Sequence, residues 1–288
     1  MEKKVRMFSA TKVWMFLGAV LLLGISIGLF HYLKDYKKAS TCRVPILMYH
    51  HLVEDRGEIN SDTVQVSTFL RHMEDLRDAG YTVVSLQELR DYVEQGASLP
   101  EKPVAITFDD GYSSNYELAY PILKEFGFPA TIFAIGVSMG KDTYKDTGAA
   151  MNPHFSVEEA EEMEASGLIT VGSHGYNIHE IAGRDPEPLR KGVLQKQNET
   201  KEEYLAFLQE DQRAMEALLG DSAKILAYPF GVSSKLSEKI LADMGVYMTL
   251  TTEGKINTLI KGSSKSLRKL GRFRVTEDMD ILALLENA

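Results

Sequence analysis

The sequence predicts an α/β fold, a distorted (β/α) barrel of about seven strands preceded by one N-terminal transmembrane helix. Between residues 43 and 288, short apolar runs alternate with amphipathic stretches, which is typical of βαβ units and a mainly parallel sheet. No dinucleotide-binding glycine fingerprint accompanies these units, and this favours a barrel over an open sheet. Residues 13–33 contain no Asp, Glu, Lys or Arg and are long enough to cross a hydrocarbon layer of about 30 Å.

The predicted strands are short buried runs, and local capping patterns predict the helices between them. Ser85 begins one helix, capping boxes at Ser156 and Thr200 begin two more, and Ser67 is a candidate cap for a helix that ends before Gly80. In barrels of this kind, catalytic groups lie at the C-terminal ends of the strands. The predicted strands cover residues 44–49, 81–84, 104–108, 130–134, 169–172, 225–228 and 247–251, and a further helix covers residues 115–126.

The first 42 residues differ in composition from the rest. We predict a cytoplasmic tail (1–12), a transmembrane signal anchor (13–33), a linker (34–42) and one domain (43–288), with that domain outside a single-pass cell-membrane anchor. No small-x-small cleavage site follows the apolar run, so an anchor is favoured over a cleaved signal peptide, which would leave the domain secreted. Within the domain, the polar stretch 181–198 is predicted to be a surface loop or insertion.

Charge and cysteine content exclude several classes of function. The chain carries a net charge of −9, and residues 1–42 contribute +5 from seven basic and two acidic side chains, which leaves −14 for residues 43–288. An acidic domain argues against nucleic acid as a partner. Cys42 is the only cysteine, so the chain has no intramolecular disulfide and no thiolate metal site. A metal site in this chain therefore needs carboxylate and imidazole ligands.

Two adjacent carboxylates, Asp109 and Asp110, follow the apolar strand predicted at residues 104–108. In a half-buried site they repel each other, unless a cation lies between them or one carboxyl stays protonated. The alternative is a helix N-terminus, where acidic side chains are also favoured. A single aspartate fits that alternative better than a pair that is followed by Gly111. The pair therefore indicates a metal or acid–base site.

His174 and His179 are five residues apart, a spacing that suits neither one strand face nor one helix face. On a helix the two side chains would lie about 140° apart. They converge only if the chain turns between them, and Gly175 and Asn177 are suitable turn residues. The alternative is one core histidine and one surface histidine. Combined with a carboxylate, however, two imidazoles are typical of a hydrolytic or oxygenase metal site, and the second carboxylate is then free to act as a base.

Four segments resemble the motifs of the polysaccharide deacetylase family, the NodB-homology carbohydrate esterases. Residues 107–111 (TFDDG) resemble the first motif, and residues 173–179 (SHGYNIH) resemble the second, in the longer-spaced form of the poly-N-acetylglucosamine deacetylases. Residues 227–231 (AYPFG) resemble the third motif, and residues 44–51 (VPILMYHH) resemble the opening segment of that branch. The resemblance covers about residues 43–285 and implies a distorted barrel of the NodB type.

The resemblance implies a role for each matching residue. Asp110, His174 and His179 match the ligands of one divalent metal ion, zinc in the first place, with cobalt, nickel or iron as alternatives. Asp109 matches the catalytic base. Phe230 matches the position whose backbone N–H stabilises the oxyanion.

The third motif departs from the family pattern at Ala227, where an arginine that orients the base is usual. Arg272 and Arg274 are candidates to replace that arginine. Arg272 is also predicted to bind substrate together with Tyr228 and Pro229. The Asp-x-x-x-Trp motif of the family is not found in residues 43–288, because the only tryptophan of the chain lies in the predicted anchor.

The C-terminal Leu-x-x-His of the family is also missing, but residues 47–50 (LMYH) fit that pattern near the N-terminus. Because a barrel is cyclic in space, a first strand can take the place of a last one, and His50 is the candidate general acid. His51 then points to the other side of the strand as a packing residue. His72 and His154 are predicted on a helix surface and in a loop.

The resemblance implies a metal-dependent hydrolase that removes N-acetyl groups from a GlcNAc-containing extracellular or cell-wall polysaccharide and releases acetate. Two alternatives stay open. The missing arginine and tryptophan motifs favour a non-catalytic carbohydrate-binding relative on the membrane, and an O-acetyl esterase would use the same scaffold. A protein that only binds carbohydrate does not need a base beside a metal ion, and this argues for an enzyme.

Overall fold

The computed structural model describes residues 15, 20, 22–28, 40–144, 148–181, 192–196 and 198–287. The chain forms two compact units, Met1–Cys42 and Arg43–Ala288. In the first unit, residues 22–28 are helical and exposed. Most of the predicted tail, anchor and linker lies outside the described residues. Within the described part of the chain, no helix is both long enough and apolar enough to cross a membrane.

The larger unit is built around a sheet of parallel strands, several of which consist only of buried residues. The strands are β1 (Thr41–Val44), β2 (Ile46–Tyr49), β3 (His51–Val53), β4 (Thr63–Gln65), β5 (Thr82–Val83), β6 (Pro103–Phe108), β7 (Ala130–Ala134), β8 (Ile169–Ser173), β9 (Ile225–Ala227), β10 (Met248–Leu250), β11 (Asn257–Ile260) and β12 (Phe273–Arg274).

The central sheet runs in the order β10-β9-β8-β7-β6-β2-β12, and β5 pairs with the first residues of β6. Every neighbouring pair along this path is parallel, and Leu47 of β2 lies opposite both Ile106 and Phe273. The predicted α/β fold with seven parallel strands is therefore confirmed, as a curled half-barrel of the kind expected for the NodB type. Strands β2 and β12 are neighbours although they come from opposite ends of the domain sequence.

Helices connect most of the strands. They are α1 (Val66–Asp78), α2 (Leu86–Glu94), α3 (Tyr120–Phe126), α4 (Val157–Ala165), α5 (Ile178–Ile181), α6 (Lys201–Leu219), α7 (Lys235–Asp243) and α8 (Ile281–Asn287), and a π-helical turn, Asn115–Ala119, precedes α3. The predicted helix starts at Ser85, Ser156 and Thr200 are confirmed, each with a complete capping box.

One local prediction was wrong, and a second stays largely untested. Helix α1 begins at Val66 rather than after Ser67, because Glu277 accepts a hydrogen bond from the Gln65 backbone N–H at 2.7 Å and so satisfies the helix start from a distant part of the chain. The predicted surface loop 181–198 falls largely on residues outside the described ranges. Its described residue Val193 is fully buried, and the carbonyl of Val193 accepts a hydrogen bond from the Tyr204 hydroxyl.

The core supports the strands whose ends carry the polar residues of interest. All residues of β2 and β6 are buried. The rings of Tyr49, Phe69 and Phe108 contact one another with centroids 5.1 to 5.6 Å apart. Burying an aromatic side chain of this size stabilises a fold by about 2 kcal/mol. His50 follows Tyr49 and Asp109 follows Phe108, so both begin from rigid backbone.

Candidate active site

A cavity of about 590 Å³ lies at the C-terminal ends of the parallel strands. His50 follows β2, Asp109 and Asp110 follow β6, and His174 follows β8. Because the carboxyl ends of parallel strands meet at one edge of the sheet, groups far apart in sequence converge there. The residues predicted from the sequence that line the cavity are His50, Asp109, Asp110, His174, His179, Phe230 and Arg274.

Asp109 and Asp110 both face the cavity although they are adjacent in sequence. Successive side chains of a strand normally point to opposite faces. Asp110 has a left-handed backbone with φ 73°, and this turn directs its carboxylate to the same side as that of Asp109. Gly111 follows with φ 81°, and a Cβ at that position would lie 3.1 Å from the Cα of Ala134. The glycine of the motif is therefore required by both conformation and space.

Asp110, His174 and His179 form a cluster whose ligand atoms all lie within 4.8 Å of one another. The Nε2 atoms of His174 and His179 are 3.5 and 3.6 Å from Oδ1 of Asp110. In a tetrahedral zinc site with bonds of about 2.1 Å, ligand atoms lie about 3.4 Å apart. The spacing and the mixed N/O donor set therefore fit a divalent ion of the zinc type.

The His174 ring is oriented by a buried hydrogen bond. Its Nδ1 lies 2.9 Å from the carbonyl oxygen of Ala227. A carbonyl only accepts hydrogen bonds, so Nδ1 carries the proton and Nε2 presents its lone pair towards Asp110. Burial lowers the pKa of His174 below its usual value, although the nearby carboxylates Asp109 and Asp110 oppose this shift. The imidazole therefore stays neutral, as a metal ligand must.

Asp109 lies outside this cluster and is paired with Arg272. Nη1 and Nη2 of Arg272 donate to Oδ1 and Oδ2 of Asp109 at 2.6 and 2.7 Å. The guanidinium is fully buried, and its Nε donates to the carbonyl of Thr251 at 3.0 Å. The segment that precedes β12 is hydrogen-bonded to the end of β10, where the Thr251 N–H donates to the Leu270 carbonyl at 2.8 Å. This contact brings Arg272 next to Asp109.

The charge state of Asp109 is set by two opposing influences. Burial raises the pKa of this carboxyl, whereas the positive charge of Arg272, the charge of His174 when protonated and the hydrogen bonds from Arg272 lower it. The net result is a pKa well below the usual value for aspartate. Burial raises the pKa of Asp110, and the charges of His179 and His174, when these are protonated, lower it below the usual value. Both carboxylates are therefore ionised at neutral pH.

The neighbours His50 and His51 point to different environments. His50 lines the cavity, and its backbone carbonyl accepts a hydrogen bond from Nδ2 of Asn115 at 2.7 Å. Its Nδ1 is buried and has no hydrogen-bond partner within the described ranges. His51 packs away from the cavity, with Nδ1 2.7 Å from the Ser114 hydroxyl and its ring 4.9 Å from that of Tyr112. This alternation is the one expected for a strand.

Phe230 lines the cavity from the loop that follows β9. Its backbone is left-handed, with φ 59°, and its side chain is 46% exposed. The ring stacks on His179 with centroids 4.8 Å apart and an interplanar angle of 24°. The adjacent Gly231 leaves no room for a side chain, because a Cβ there would lie 2.2 Å from Oγ1 of Thr252. The loop therefore holds the Phe230 ring against His179.

Three residues predicted to bind substrate do not line the cavity. Tyr228 and Pro229 are buried, and the Tyr228 hydroxyl donates to Oε1 of Glu238 at 2.5 Å instead. Arg272 is buried behind Asp109, so it contacts the base rather than a sugar. Arg274, the other arginine considered, lies at the mouth of the cavity in an ion pair with Asp62.

Sequence reasoning missed several residues that line the cavity, namely Met48, Asp62, Tyr112 and Thr252. Tyr112 directly follows the first motif, and this adjacency was the available signal. Burial and the Asp110 carboxylate raise the pKa of Tyr112, so its phenol stays protonated and hydrogen-bonds to Asp110. The Tyr112 ring also contacts His154, with centroids 5.0 Å apart.

Two histidines differ from their predicted environments. His72 was expected on a helix surface and is fully buried, with Nδ1 3.1 Å from the Tyr49 hydroxyl and Nε2 3.4 Å from Nη2 of Arg71. His154 lies in a loop, as predicted, but it is buried and forms an isolated bridge with Tyr112. Amphipathic periodicity does not distinguish a buried histidine from an exposed one, because the residue type is compatible with both.

Comparison with known proteins supports the same family. The sequence profile of the polysaccharide deacetylases matches residues 96–249, which is more than half of the chain. YxkH of Bacillus subtilis, a protein assigned to the polysaccharide deacetylases, is 32% identical over 217 residues, covering 75% of this chain and 67% of the relative. The poly-β-1,6-N-acetyl-D-glucosamine N-deacetylase of Escherichia coli K12 is 30% identical over 144 residues, but this covers 46% of this chain and only 20% of that protein.

Two solved structures share the fold. A de-N-acetylase from Aggregatibacter actinomycetemcomitans matches with a TM-score of 0.72 and 24% identity, over 85% of this chain and 99% of that one. IcaB from Ammonifex degensii matches with a TM-score of 0.69 and 26% identity, over 85% of this chain and 97% of that one. The family profile and the similarity to YxkH show that the chain belongs to the polysaccharide deacetylase family.

Proposed function

We propose that this chain is a metal-dependent N-deacetylase that acts on a GlcNAc-containing extracellular or cell-wall polysaccharide and releases acetate. One observation carries the proposal. Asp109 lies beside the Asp110, His174 and His179 cluster without belonging to it, and Arg272 keeps its carboxylate ionised. A cluster that only bound carbohydrate through an ion would not require this second, separately oriented carboxylate.

The donor set would hold one divalent ion, with zinc as the first choice and cobalt, nickel or iron as alternatives. Asp110, His174 and His179 would be its protein ligands. When bound, such an ion supplies Lewis-acid polarisation of an amide carbonyl and lowers the pKa of a coordinated water. Three protein ligands leave positions open for both, as catalytic rather than structural sites do.

The remaining residues supply proton transfer and charge stabilisation. The ionised Asp109 accepts a proton from the attacking water, and Arg272 fixes the direction of its carboxylate. His50 protonates the departing amine nitrogen, because a sugar amide anion is too poor a leaving group alone. The backbone N–H of Phe230 donates to the oxyanion of the tetrahedral intermediate. The non-catalytic alternative was favoured by the missing motif arginine. The pairing of Asp109 with Arg272 supports catalysis instead, because another arginine orients the proposed base.

The substrate class rests on similarity. The relatives from E. coli and from Staphylococcus aureus, the latter 25% identical over 201 residues and covered over 65% of its length, are named as poly-β-1,6-N-acetyl-D-glucosamine N-deacetylases. The cavity is lined mostly by charged and polar residues, and this suits a sugar unit of a polymer better than a compact apolar ligand. The leaving group of an O-acetyl ester needs no strong proton donor, whereas the leaving amine of an N-acetyl group does. The presence of His50 in the cavity therefore favours an N-acetyl substrate.

We also propose that residues 13–33 anchor the chain in the cell membrane and present the domain to the outside, with secretion after signal cleavage as the alternative. The support is the length and composition of the apolar run and the basic residues that precede it. Fractionation of cells that express the full chain, followed by protease treatment of intact cells, tests this proposal. An uncleaved, protease-accessible chain in the membrane fraction is expected.

The function is tested by acetate release from a panel of polymers. Purified full chain is incubated with poly-β-1,6-GlcNAc, chitin oligomers, peptidoglycan and an O-acetylated polymer, each with zinc and each with a chelator. We expect zinc-dependent acetate release from an N-acetylated polymer. Release only from the O-acetylated polymer would instead identify an esterase, and zinc-loaded protein that binds the sugars but releases no acetate would identify a binding protein.

A further inference from the structure

We infer that Asp211 is a positioning residue that shapes the metal cluster by holding the turn between His174 and His179. This inference rests on the metal site of the proposed function. Asp211 lies on α6, far from both histidines in sequence, and it does not line the cavity. It contacts the turn through hydrogen bonds from two backbone N–H groups.

The spacing of the two histidines creates a geometric problem that the turn solves. His174 directly follows β8, and His179 lies in the first turn of the short helix α5. Their rings must converge on Asp110, although five residues of regular helix or strand would point them apart. The chain reverses at Gly175, with φ 83°, and the segment 175–177 sets the separation of the two rings, whose centroids are 5.3 Å apart.

Asp211 bonds to this segment with both carboxylate oxygens. Oδ2 accepts from the Tyr176 N–H at 2.9 Å, and Oδ1 accepts from the Asn177 N–H at 2.8 Å. The Asp211 residue is only 7% exposed. A buried carboxylate is costly unless it receives hydrogen bonds, and two charge-assisted bonds of this length are strong ones. The carboxylate therefore defines the direction of two consecutive N–H groups immediately before α5.

Backbone groups hold the opposite side of the same turn. The Gly136 N–H donates to the Gly175 carbonyl at 3.1 Å, and the Val137 N–H donates to the Tyr176 carbonyl at 2.8 Å. The contact is close, because a Cβ at Gly136 would lie 2.6 Å from both Sδ of Met215 and Cδ2 of Tyr176. The turn is thus fixed between residues 136–137 and α6. On the α6 side, the Asp211 carboxylate accepts two hydrogen bonds from the turn.

His179 depends on the turn more than His174 does. The ring of His174 is oriented directly by the Ala227 carbonyl and is nearly fully buried. The side chain of His179 is 28% exposed, and its described ring contacts are with His174 and Phe230. A small change in the path of residues 175–177 therefore displaces His179 first. Groups outside the ligand shell that orient ligands affect metal affinity by about 10- to 100-fold in metalloproteins.

The test is the zinc affinity of Asp211→Asn. This variant keeps the shape of the side chain but replaces one acceptor with an NH₂ group that faces a backbone N–H. Glu210→Gln is the matched control, since Glu210 is the adjacent, exposed residue of α6 and its change removes the same charge. Zinc dissociation constants are measured on the full chain by competition with a chromophoric chelator, and the visible spectrum of the cobalt-substituted protein reports ligand geometry.

We expect zinc affinity about 10- to 100-fold weaker for Asp211→Asn, with an altered cobalt spectrum, and wild-type values for Glu210→Gln. A purely structural role would lower the melting temperature of the metal-free protein and leave the zinc affinity of the folded protein unchanged. That result would overturn the inference. If Asp211→Asn is too unstable at room temperature, the same titration in the cold, where folding is checked by circular dichroism, decides between the two outcomes.

Failure of the proposed function is a separate outcome. A wild-type chain that binds no zinc, cobalt, nickel or iron contradicts the metal centre and the role of Asp211 together. A wild-type chain that binds zinc tightly, while Asp211→Asn binds it equally tightly, contradicts only the role of Asp211. Neither result depends on which polymer is deacetylated, because no substrate is present in the measurement.

Discussion

Arg272 and Asp109 form a buried, bidentate ion pair, in which Nη1 and Nη2 of the arginine lie 2.6 and 2.7 Å from the two carboxylate oxygens. The guanidinium also donates to the Thr251 carbonyl and the Thr107 hydroxyl. The arginine expected in the third motif, at the position of Ala227, is thus replaced by one that follows in sequence and enters from the β12 side of the sheet. A planar fork of this kind fixes the orientation of a carboxylate as well as its charge.

We predict that Arg272→Lys lowers the deacetylation rate by about 100-fold, because a lysine keeps the positive charge but not the two parallel hydrogen bonds, and a misplaced base is that costly. Zinc affinity should stay at the wild-type value, since Arg272 does not contact the three predicted ligands. Arg213→Lys, at an exposed position of α6, is the control. Steady-state acetate release and zinc titration check the prediction, and an unchanged rate would show that orientation by Arg272 is dispensable.

Exchanging the two adjacent aspartates should separate their roles. Asp109→Asn removes the proposed proton acceptor and is expected to abolish acetate release while zinc still binds, because Asp109 lies outside the cluster. Asp110→Asn removes the only carboxylate of the cluster and should weaken zinc binding, as should His174→Ala. Metal content and acetate release are measured on the same preparations. Substantial activity of Asp109→Asn would rule out its assignment as the base.

The role of His50 as acid predicts a dependence on the leaving group. His50→Gln should lower the hydrolysis of the N-acetyl sugar by about 100-fold or more, since general acid catalysis contributes roughly 10²- to 10⁴-fold. The same substitution should have a much smaller effect on the hydrolysis of an activated acetate ester, because its leaving group needs no proton. His51→Gln is the matched control, because His51 packs against Ser114 and Tyr112 away from the cavity. Equal losses with both substrates would point to a structural role for His50.

His72 should make the fold less stable in acid. Burial first, and then the nearby Arg71, lower the pKa of His72 from 6.5 to about 4. The unfolded chain therefore binds more protons than the folded chain between about pH 6.5 and pH 4, so stability is full above this window and falls as the pH drops through it. The loss from this residue is about 3 kcal/mol at most.

Urea unfolding of wild type and His72→Gln at about pH 7.5 and pH 4.5 measures this contribution. Glutamine retains hydrogen-bonding groups for Tyr49 and Arg71 but does not titrate. The difference in stability between the two pH values should be smaller for the variant than for wild type. If the two proteins lose the same stability in acid, other groups are responsible for the acid sensitivity and the predicted pKa of His72 is contradicted.

Much of the fold follows from local sequence patterns. The capping boxes at Ser156 and Thr200 begin helices because both hydrogen-bonding partners lie within four residues of each other. The strands before Asp109 and His174 are apolar runs bounded by turn residues, and they formed within one or two residues of the predicted limits. The start of α1 was placed wrongly because Glu277, its hydrogen-bond acceptor, is more than 200 residues away.

By itself the sequence determined the parallel α/β architecture, because strands and helices depend on periodicity and local capping. It also supplied the candidate base, acid and metal ligands, because short motifs resemble those of a known family. Only the tertiary structure decided that Arg272 pairs with Asp109, that Asp211 holds the turn between the histidines, and that Tyr228 and Pro229 are buried. Each of these contacts joins residues whose proximity depends on strand order and helix packing, and no local pattern encodes that proximity.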